Sequence, residues 1–431
     1  MNLVGFKGLI MNTSMGTPLT SKGSVSIRRV SCWCVLVIGM VAASHVLAAA
    51  APQSTSGWPA YRHDIRRSSA TDEILAVPLH PLWEYHPAQA PRPAWNPPHF
   101  IMIDRISLDD APALVVTDDR VVFGSSADDA VRALDARTGR ELWRFVAGGP
   151  VRLAPQIVGD RVYFGADDGR IYCLEAATGK AVWAFDATPS PEQMIGNGRV
   201  ISRWPIRTGV LVDDGVVYGV AGMWASEGIY AYALDAATGR VLWCNDTSGN
   251  AGLNFNPLLN ADNAEEMVAG VHEGDYGTYG LTPQGALAAG KDVLLVPNGY
   301  AKAAGFDRKT GRLLYAAPAA GMGGVWLCVE GNRWYSTSYH RSQLLGVYYC
   351  DLATGKSLSF LRTDGRQGNV PQLSVTPPRK GARHLHDGGN VSIIVRKATA
   401  YGRHAFGLAL AGEQLVQGLE DAVVVTDAKD D

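Results

Sequence analysis

The chain has 431 residues, and its 39 lysines and arginines nearly balance 41 aspartates and glutamates, for a formal net charge of −2. Without a basic surplus, the chain lacks the electrostatic character of a nucleic-acid-binding or anionic-membrane-binding protein. Hydrophobic residues make up 47% and charged residues 19%, which excludes a disordered chain. Its 48 glycines and 11 tryptophans, without long helical patterns, favour many short strands joined by tight turns.

The segment 1–50 has the pattern of a signal peptide. The basic residues Lys22, Arg28 and Arg29 precede an apolar run at 32–41, and the alanines at 48–50 fit a cleavage site. The apolar run is shorter than the roughly 20 residues of a membrane-spanning helix, so an uncleaved anchor is the weaker alternative. We therefore expect export to the periplasm or the extracellular space, with no membrane span after cleavage.

The segment 51–110 is expected to lead the chain into a larger domain. It contains a short predicted strand at 81–85 that carries Trp83. Residues 88–98 are rich in proline, which predicts an extended surface strap.

The domain at 111–431 contains a repeated ten-residue pattern. LDARTGRELW at 134–143 recurs as LEAATGKAVW at 174–183 and LDAATGRVLW at 234–243, and weaker copies stand at 306–315 and 350–359. The residues that define the repeat are Asp135, Gly139, Trp143, Glu175, Gly179, Trp183, Asp235, Gly239, Trp243, Asp307, Gly311, Asp351 and Gly355.

Each copy of the pattern predicts a tight turn between two strands. The glycine supplies a positive φ, the acidic residue can accept hydrogen bonds from turn amides, and the final tryptophan can wedge between sheets. Two further strands precede the first copy, at 113–124 and 130–134. One unit is therefore four short antiparallel strands over about 40 residues, the size of a propeller blade.

The pattern resembles the signature of the pyrroloquinoline-quinone (PQQ) repeat family. The form Ala-x-Asp-x-x-Thr-Gly-x-x-x-Trp is complete at 133–143 and at 233–243. The resemblance implies an all-β propeller of four-stranded antiparallel blades. The family includes quinone-dependent alcohol dehydrogenases and non-catalytic propellers of outer-membrane assembly, so the resemblance points to a fold rather than to one function.

Six blades are recognisable, the sixth marked by Asp427. Long insertions lie at 186–204, 244–280 and 361–402, and degenerate blades within the last two would raise the count to seven or eight. The C-terminal unit lacks a fourth strand, which the strand at Trp83 could supply. We therefore predict that pairing of N- and C-terminal strands closes the ring and removes its open edges. The alternative is a truncated chain whose missing strand would follow Asp431.

Propellers carry function in loops, so the candidate ligand-binding residues come from the insertions and neighbouring loops. They combine aromatic with ionisable side chains, and they are Arg203, Trp204, Trp224, Glu227, His272, Glu273, Asp275 and Asn298. Two alternatives stay open. Trp204 and Trp224 could fill gaps between blades, and the acidic residues near His272 could form a solvated loop.

No catalytic residue can be named, because hydrolase, zinc-protease and P-loop motifs are missing. The quinone dehydrogenases carry an adjacent cysteine pair that packs on the cofactor, and this chain has no adjacent cysteines. The four cysteines after the leader allow three disulfide pairings, among which the sequence does not choose. His384 and His386 could face the same way on a strand, but a polar loop is favoured and no metal site is predicted.

The sequence therefore favours an exported, monomeric, non-catalytic propeller that binds a protein, peptide or glycan at its loop face, with no cofactor. The alternative is a periplasmic quinoprotein oxidoreductase that uses PQQ and Ca²⁺ to oxidise alcohols or sugars. In that alternative, Glu273, Asp275 and Asn298 are candidate ligands for the ion.

Overall fold

The computed structural model describes residues 6–8, 57–95, 109–249, 281–298, 301–316, 327–340, 343–362, 407–418 and 423–427. Within these residues the chain forms strands and one short 3-10 helix, Ala225–Glu227. No helix of this described part is long and apolar enough to cross a membrane.

The described strands form six four-stranded sheets, which are the blades, and two small two-stranded sheets. Three strands precede the first complete blade: β1 (Phe6–Gly8), β2 (Ala70–Thr71) and β3 (Trp83–Tyr85). Blade 1 contains β4 (Leu114–Val116), β5 (Arg120–Gly124), β6 (Ala130–Asp135) and β7 (Glu141–Val146). Blade 2 contains β8 (Gln156–Val158), β9 (Arg161–Gly165), β10 (Arg170–Glu175) and β11 (Ala181–Asp186).

A hairpin of β12 (Gln193–Gly196) and β13 (Arg199–Ser202) separates blades 2 and 3. Blade 3 contains β14 (Val210–Asp213), β15 (Val216–Ala221), β16 (Tyr230–Asp235) and β17 (Val241–Asn245). Blade 4 contains β18 (Ala288–Ala289), β19 (Val293–Asn298), β20 (Ala301–Asp307) and β21 (Leu313–Tyr315). Blade 5 contains β22 (Leu327–Glu330), β23 (Arg333–His340), β24 (Gln343–Asp351) and β25 (Ser357–Arg362). Blade 6 joins β2 to β26 (Gly407–Ala411), β27 (Gln414–Gly418) and β28 (Val423–Asp427). The all-β propeller with six recognisable blades is therefore confirmed.

The core lies between blades rather than within one layer. In β9, Val162 and Phe164 pack into one apolar cluster with Val122 of blade 1. Tyr163 between them packs into a second cluster with Val217 of blade 3. Because neighbouring side chains on a strand point to opposite faces, a middle strand covered by blades on both sides is apolar throughout.

An aromatic residue in each of five described strands joins that strand to the next blade. Its side chain donates a hydrogen bond to the main-chain oxygen of the residue that follows the acidic turn residue. The pairs are Trp83 to Ala136 (2.9 Å), Trp143 to Ala176 (2.8 Å), Trp183 to Ala236 (3.0 Å), Trp243 to Arg308 (2.9 Å) and Tyr315 to Leu352 (2.8 Å). These contacts form five similar junctions among the described strands.

The turn that receives the aromatic ring is built as its sequence suggests. Asp135 Oδ1 accepts hydrogen bonds from Thr138 N and Thr138 Oγ1, both at 2.8 Å. Gly139 has a φ of +70°, and a Cβ added there would lie 2.7 Å from the ring of Trp83. The glycine therefore serves both the turn and the close approach of the preceding blade.

Closure by N- and C-terminal strands is confirmed, but the strand that we had predicted for it was wrong. Ala70–Thr71 pairs in parallel with Gly407–Ala411, whereas Trp83–Tyr85 pairs with Phe6–Gly8. The buried inner edge of blade 6 needs main-chain partners, and Ser69 and Thr71 supply them to Leu410 and Gly412. Phe6–Gly8 lies within the segment read as a signal peptide, which stays a prediction.

Residues 58–71, called the central segment below, run along the inner edge of the ring. Main-chain hydrogen bonds link this segment to the first strands of five of the six blades. The pairs are Trp58 with Val116 (2.7 and 2.9 Å), Pro59 with Ile157 (2.8 Å), Ile65 with Ala289 (2.8 Å), Arg66 with Val329 (2.8 Å) and Ser69 with Leu410 (2.9 Å). The predicted lead-in is therefore a structural part of the ring centre.

Candidate functional site

The connections between strands divide over two faces of the propeller. Because successive strands of a blade run antiparallel, the connections between blades and the second-to-third strand loops share one face. We call it the connector face, and its described loops are 125–129, 147–155, 166–169, 187–209, 222–229 and 281–287. The Thr-Gly turns lie on the opposite face.

The structure brings four of the candidate residues together on the connector face. Arg203 forms ion pairs with Glu227 and, at 2.6 Å, with Glu192. The indole of Trp204 donates to the main-chain oxygen of Glu227 at 2.6 Å, and the Arg203 guanidinium lies 5.6 Å from the Trp204 ring centre. Trp204 is buried, so it fills a gap between loops, whereas Trp224 stays 36% exposed.

The remaining candidates do not join this group. Asn298 is buried, and its side-chain oxygen accepts hydrogen bonds from the main chain and hydroxyl of Thr282. Its contacts shape the entry to blade 4. The candidates His272, Glu273 and Asp275 lie outside the described residues, as do His384 and His386.

The sequence did not predict a buried ion-pair network on the connector face. This network lies at the opening of the ring on that face, which we call the mouth. Arg152 pairs with Asp109 at 2.5 Å and with Asp167 at 2.6 Å, and Arg207 approaches Asp167 at 3.4 Å. These side chains are at most 3% exposed. Burial lowers the pKa of Arg152, but Asp167 and Asp109 more than offset this and raise it. Such a network holds its members in fixed positions.

The arginines of this network occupy repeated positions. Arg152, Arg207 and Gln284 each stand nine residues before the second strand of their blade, which begins at Arg161, Val216 or Val293. A Pro-x-Arg sequence at 150–152 and 205–207 is the signal that could have revealed them. Asp109 has no comparable sequence signal.

The proline-rich strap lies across this mouth, and side chains hold its main chain. Ser126 Oγ accepts from Arg92 N at 3.0 Å, and Arg152 Nη1 donates to Arg92 O at 2.8 Å. Asn197 Nδ2 donates to Pro93 O at 2.7 Å. Both oxygens of Asp109 accept from Ala94 N, at 3.0 and 3.1 Å.

Trp95 anchors the end of the strap. Its indole nitrogen donates to Gln284 Oε1 at 2.8 Å. The Arg207 guanidinium lies 5.4 Å from its ring centre, and Trp224 packs edge-on at 5.7 Å. Cation–π and aromatic contacts of this geometry stabilise a half-buried tryptophan. Below, the strap site means the side chains that contact residues 92–95.

A small cavity lies between described connections and the central segment. Its volume is about 10 Å³, room for roughly one water molecule. Tyr61 and Arg67 line it from the central segment, and Leu153, Thr208 and Ala286 are among the residues that line it from the blades. This one cavity is too small for a planar quinone.

The described acidic and sulfur groups do not form a metal site. Asp109 and Asp167 are both engaged by Arg152, and no cluster of three or more His, Cys, Asp or Glu residues occurs in the described part of the chain. Cys173, Cys328 and Cys350 are buried and Cys244 is exposed, and all four are free thiols. Burial raises the pKa of the Cys173 thiol to about 11, which keeps it protonated and unreactive at neutral pH.

The repeat matches known PQQ proteins. Residues 82–243 match a PQQ-repeat family model described as outer membrane protein assembly factor BamB. Quinohemoprotein alcohol dehydrogenase ADH IIB of Pseudomonas putida is 34% identical over 138 residues, which is 29% of this chain and 18% of that protein. The prediction of a PQQ-repeat propeller is therefore confirmed, although the match spans less than a fifth of that relative.

Solved structures of the same kinds align at low similarity. BamB from Moraxella catarrhalis has a TM-score of 0.41 at 15% identity, covering 80% of this chain and 84% of that chain. Quinohemoprotein alcohol dehydrogenase from Comamonas testosteroni has a TM-score of 0.45 at 17% identity, covering 84% and 57%. The fold assignment rests on the sheets of this chain, not on these alignments.

Proposed function

We propose that this PQQ-repeat propeller is an exported, monomeric, non-catalytic module that binds a protein, peptide or glycan on its connector face. One observation carries the proposal. The strap is hydrogen-bonded to side chains of the connector face, the central segment is hydrogen-bonded to inner strands of the blades, and the described cavity between this segment and the connections holds about 10 Å³. Small-molecule sites have volumes of roughly 300–1,000 Å³, so a surface ligand suits this ring better than a buried one.

An exposed apolar hairpin gives this face a place for a partner. In the hairpin of β12 and β13, Ile195 is 76% and Val200 is 58% exposed. Trp224 is also partly exposed on this face. Exposed apolar residues rimmed by ion pairs, such as that of Arg203 with Glu192, are typical of interaction surfaces. The matching family model is described as an outer membrane protein assembly factor, which supports a protein partner.

The second candidate is a PQQ- and Ca²⁺-dependent oxidoreductase acting on alcohols or sugars. The relatives named quinoprotein or quinone alcohol dehydrogenases favour it, since each of them matches 29–31% of the chain. Against it, the described mouth holds the strap, and its carboxylates are paired with arginines. We therefore place this candidate second.

Site-specific photo-crosslinking tests the first candidate. A photoreactive amino acid at Ile195, on the connector face, is compared with one at Arg137, an exposed residue in a Thr-Gly turn of the opposite face. We expect discrete adducts from position 195 in periplasmic extract and none from position 137. Equal adducts from both positions, or none from position 195, would contradict binding on the connector face.

A further inference from the structure

We propose that the strap site is a binding site for an extended peptide with a tryptophan anchor, and that residues 92–95 occupy it as an internal copy of that ligand. The inference rests on the proposed function, since it names the partner class of the same face. The strap then controls access to the site, because an external peptide must displace it.

The first argument is that the site binds the strap through its main-chain groups. Four main-chain groups, those of Arg92 N, Arg92 O, Pro93 O and Ala94 N, are paired with side chains rather than with a neighbouring strand. Contacts of this kind depend on an extended backbone and not on the side chains of the peptide. Peptide-binding domains divide recognition in this way between main-chain hydrogen bonds and a pocket for an anchor.

The second argument is the anchor itself. The Trp95 side chain makes three kinds of contact: a hydrogen bond to Gln284, a cation–π contact with Arg207 and an edge-on ring contact with Trp224. Tryptophan and arginine dominate the binding energy of many interfaces, because a large ring can be desolvated and hydrogen-bonded at once. A peptide without this ring would keep only the main-chain contacts.

The third argument is that the receptor side chains are held without the strap. Asp167 binds Arg152 and Arg207 from beneath, and Arg207 Nη1 also contacts Met223 Sδ at 3.1 Å. A site held in place by its own network pays little conformational entropy when its occupant changes.

The site also has hydrogen-bonding capacity that the strap does not use. Arg152 Nη2, Asp167 Oδ1 and Arg207 Nε are buried and have no hydrogen-bond partner among the described protein atoms. Buried polar atoms in native proteins are usually paired, so three such atoms in one network indicate that the site can satisfy an occupant other than the strap.

Competition sets the expected behaviour of the intact chain. A tethered segment has an effective concentration in the millimolar range, so the strap outcompetes a free peptide of equal intrinsic affinity. Removing the anchor from the strap should therefore expose the tryptophan slot and leave the receptor side chains unchanged. Trp95→Ala removes the anchor itself. Pro93→Gly makes the backbone of the strap more flexible and leaves every side chain of the strap site unchanged.

The test uses a fluorescein-labelled synthetic peptide of residues 90–96, titrated into the protein and followed by fluorescence anisotropy. We expect the Trp95→Ala and Pro93→Gly variants to bind it at least about tenfold more tightly than the unmodified protein. Adding Gln284→Ala to Trp95→Ala should weaken binding about tenfold, and a peptide with alanine at the tryptophan position should bind weakly to both variants. Leu142→Ala, an exposed change elsewhere, serves as the matched control and should bind like the unmodified protein.

Two outcomes would overturn the inference. The variants could keep native circular dichroism and still not bind, or the peptide could bind with no dependence on Gln284 and on its tryptophan. The strap would then be only a structural cover. If crosslinking from position 195 were still observed in that case, the proposed function would stand without the strap site. If crosslinking from position 195 were also absent, both the proposed function and the strap site would be contradicted.

Discussion

At the residue scale, two structural requirements select the glycine of a Thr-Gly step: a positive φ and space for the aromatic ring of the preceding strand. Gly179 has a φ of +70°, and a Cβ added there would lie 2.6 Å from the ring of Trp143. The sequence could predict the first requirement from turn chemistry. The second requirement comes from the neighbouring blade, so no local sequence pattern predicts it.

Replacing two glycines separates these requirements. Gly159 has a φ of +58° with nothing within 4 Å of an added Cβ, so Gly159→Ala should cost about 1 kcal/mol for the backbone conformation alone. Gly179→Ala adds the clash with Trp143 and should cost about 3 kcal/mol. Urea unfolding measures both free energies. Equal losses would show that the ring contact contributes nothing to stability.

The site residues show where sequence reasoning ended. The acidic pairs at 128–129 and 167–168 look alike as turn residues. Asp128 does accept a hydrogen bond from Ser125 Oγ in its own turn at 2.6 Å, but Asp167 is buried between Arg152 and Arg207. Whether a turn carboxylate faces solvent or the mouth depends on loops from other blades, which no local pattern encodes.

At the element scale, the central segment differs most from its sequence interpretation. Residues 58–71 were expected only to lead the chain into the ring, and they instead bond to five blades. They form little regular secondary structure, so hydrophobic periodicity gives no sign of this role. Arg67 shows how firmly the segment is held, since it donates to the main-chain oxygens of Leu287 (2.7 Å), Tyr61 (2.9 Å) and Asp64 (3.1 Å).

Adjacent arginines provide a matched test of this element. Arg67 is buried, and burial lowers its pKa to about 10, whereas the side chain of Arg66 is 57% exposed. Arg67→Ala leaves the buried main-chain oxygen of Leu287 without the hydrogen bond that Arg67 donates, and should lower the free energy of unfolding by about 3 kcal/mol. Arg66→Ala should change it by less than about 0.5 kcal/mol. Thermal and urea unfolding compare the two, and similar small losses would mean that the segment does not brace the ring.

At the scale of the whole molecule, the repeat predicted the blades, but it did not predict which N-terminal strand pairs with the C-terminal blade. The six acidic residues from Asp135 to Asp427 mark the six four-stranded sheets of the described residues in order. At the junction after blade 5, Ser359 stands where other blades carry an aromatic residue, and Asp431 stands where others carry glycine. Both side chains of the repeated junction are therefore absent between blades 5 and 6. The central segment links these two blades instead, because Arg66 O accepts from Val329 N and Ser69 O accepts from Leu410 N.

The central proposal is that the chain's own central segment and strap occupy the described part of the ring centre in place of a quinone. Titration with PQQ in the presence of Ca²⁺, followed by tryptophan quenching and by dye-linked alcohol oxidation, tests it most directly. The account predicts neither saturable quenching nor turnover, because the central segment and the strap are hydrogen-bonded across the described part of the ring centre. Saturable micromolar binding with alcohol-dependent turnover would contradict it and place the protein among the quinoprotein oxidoreductases.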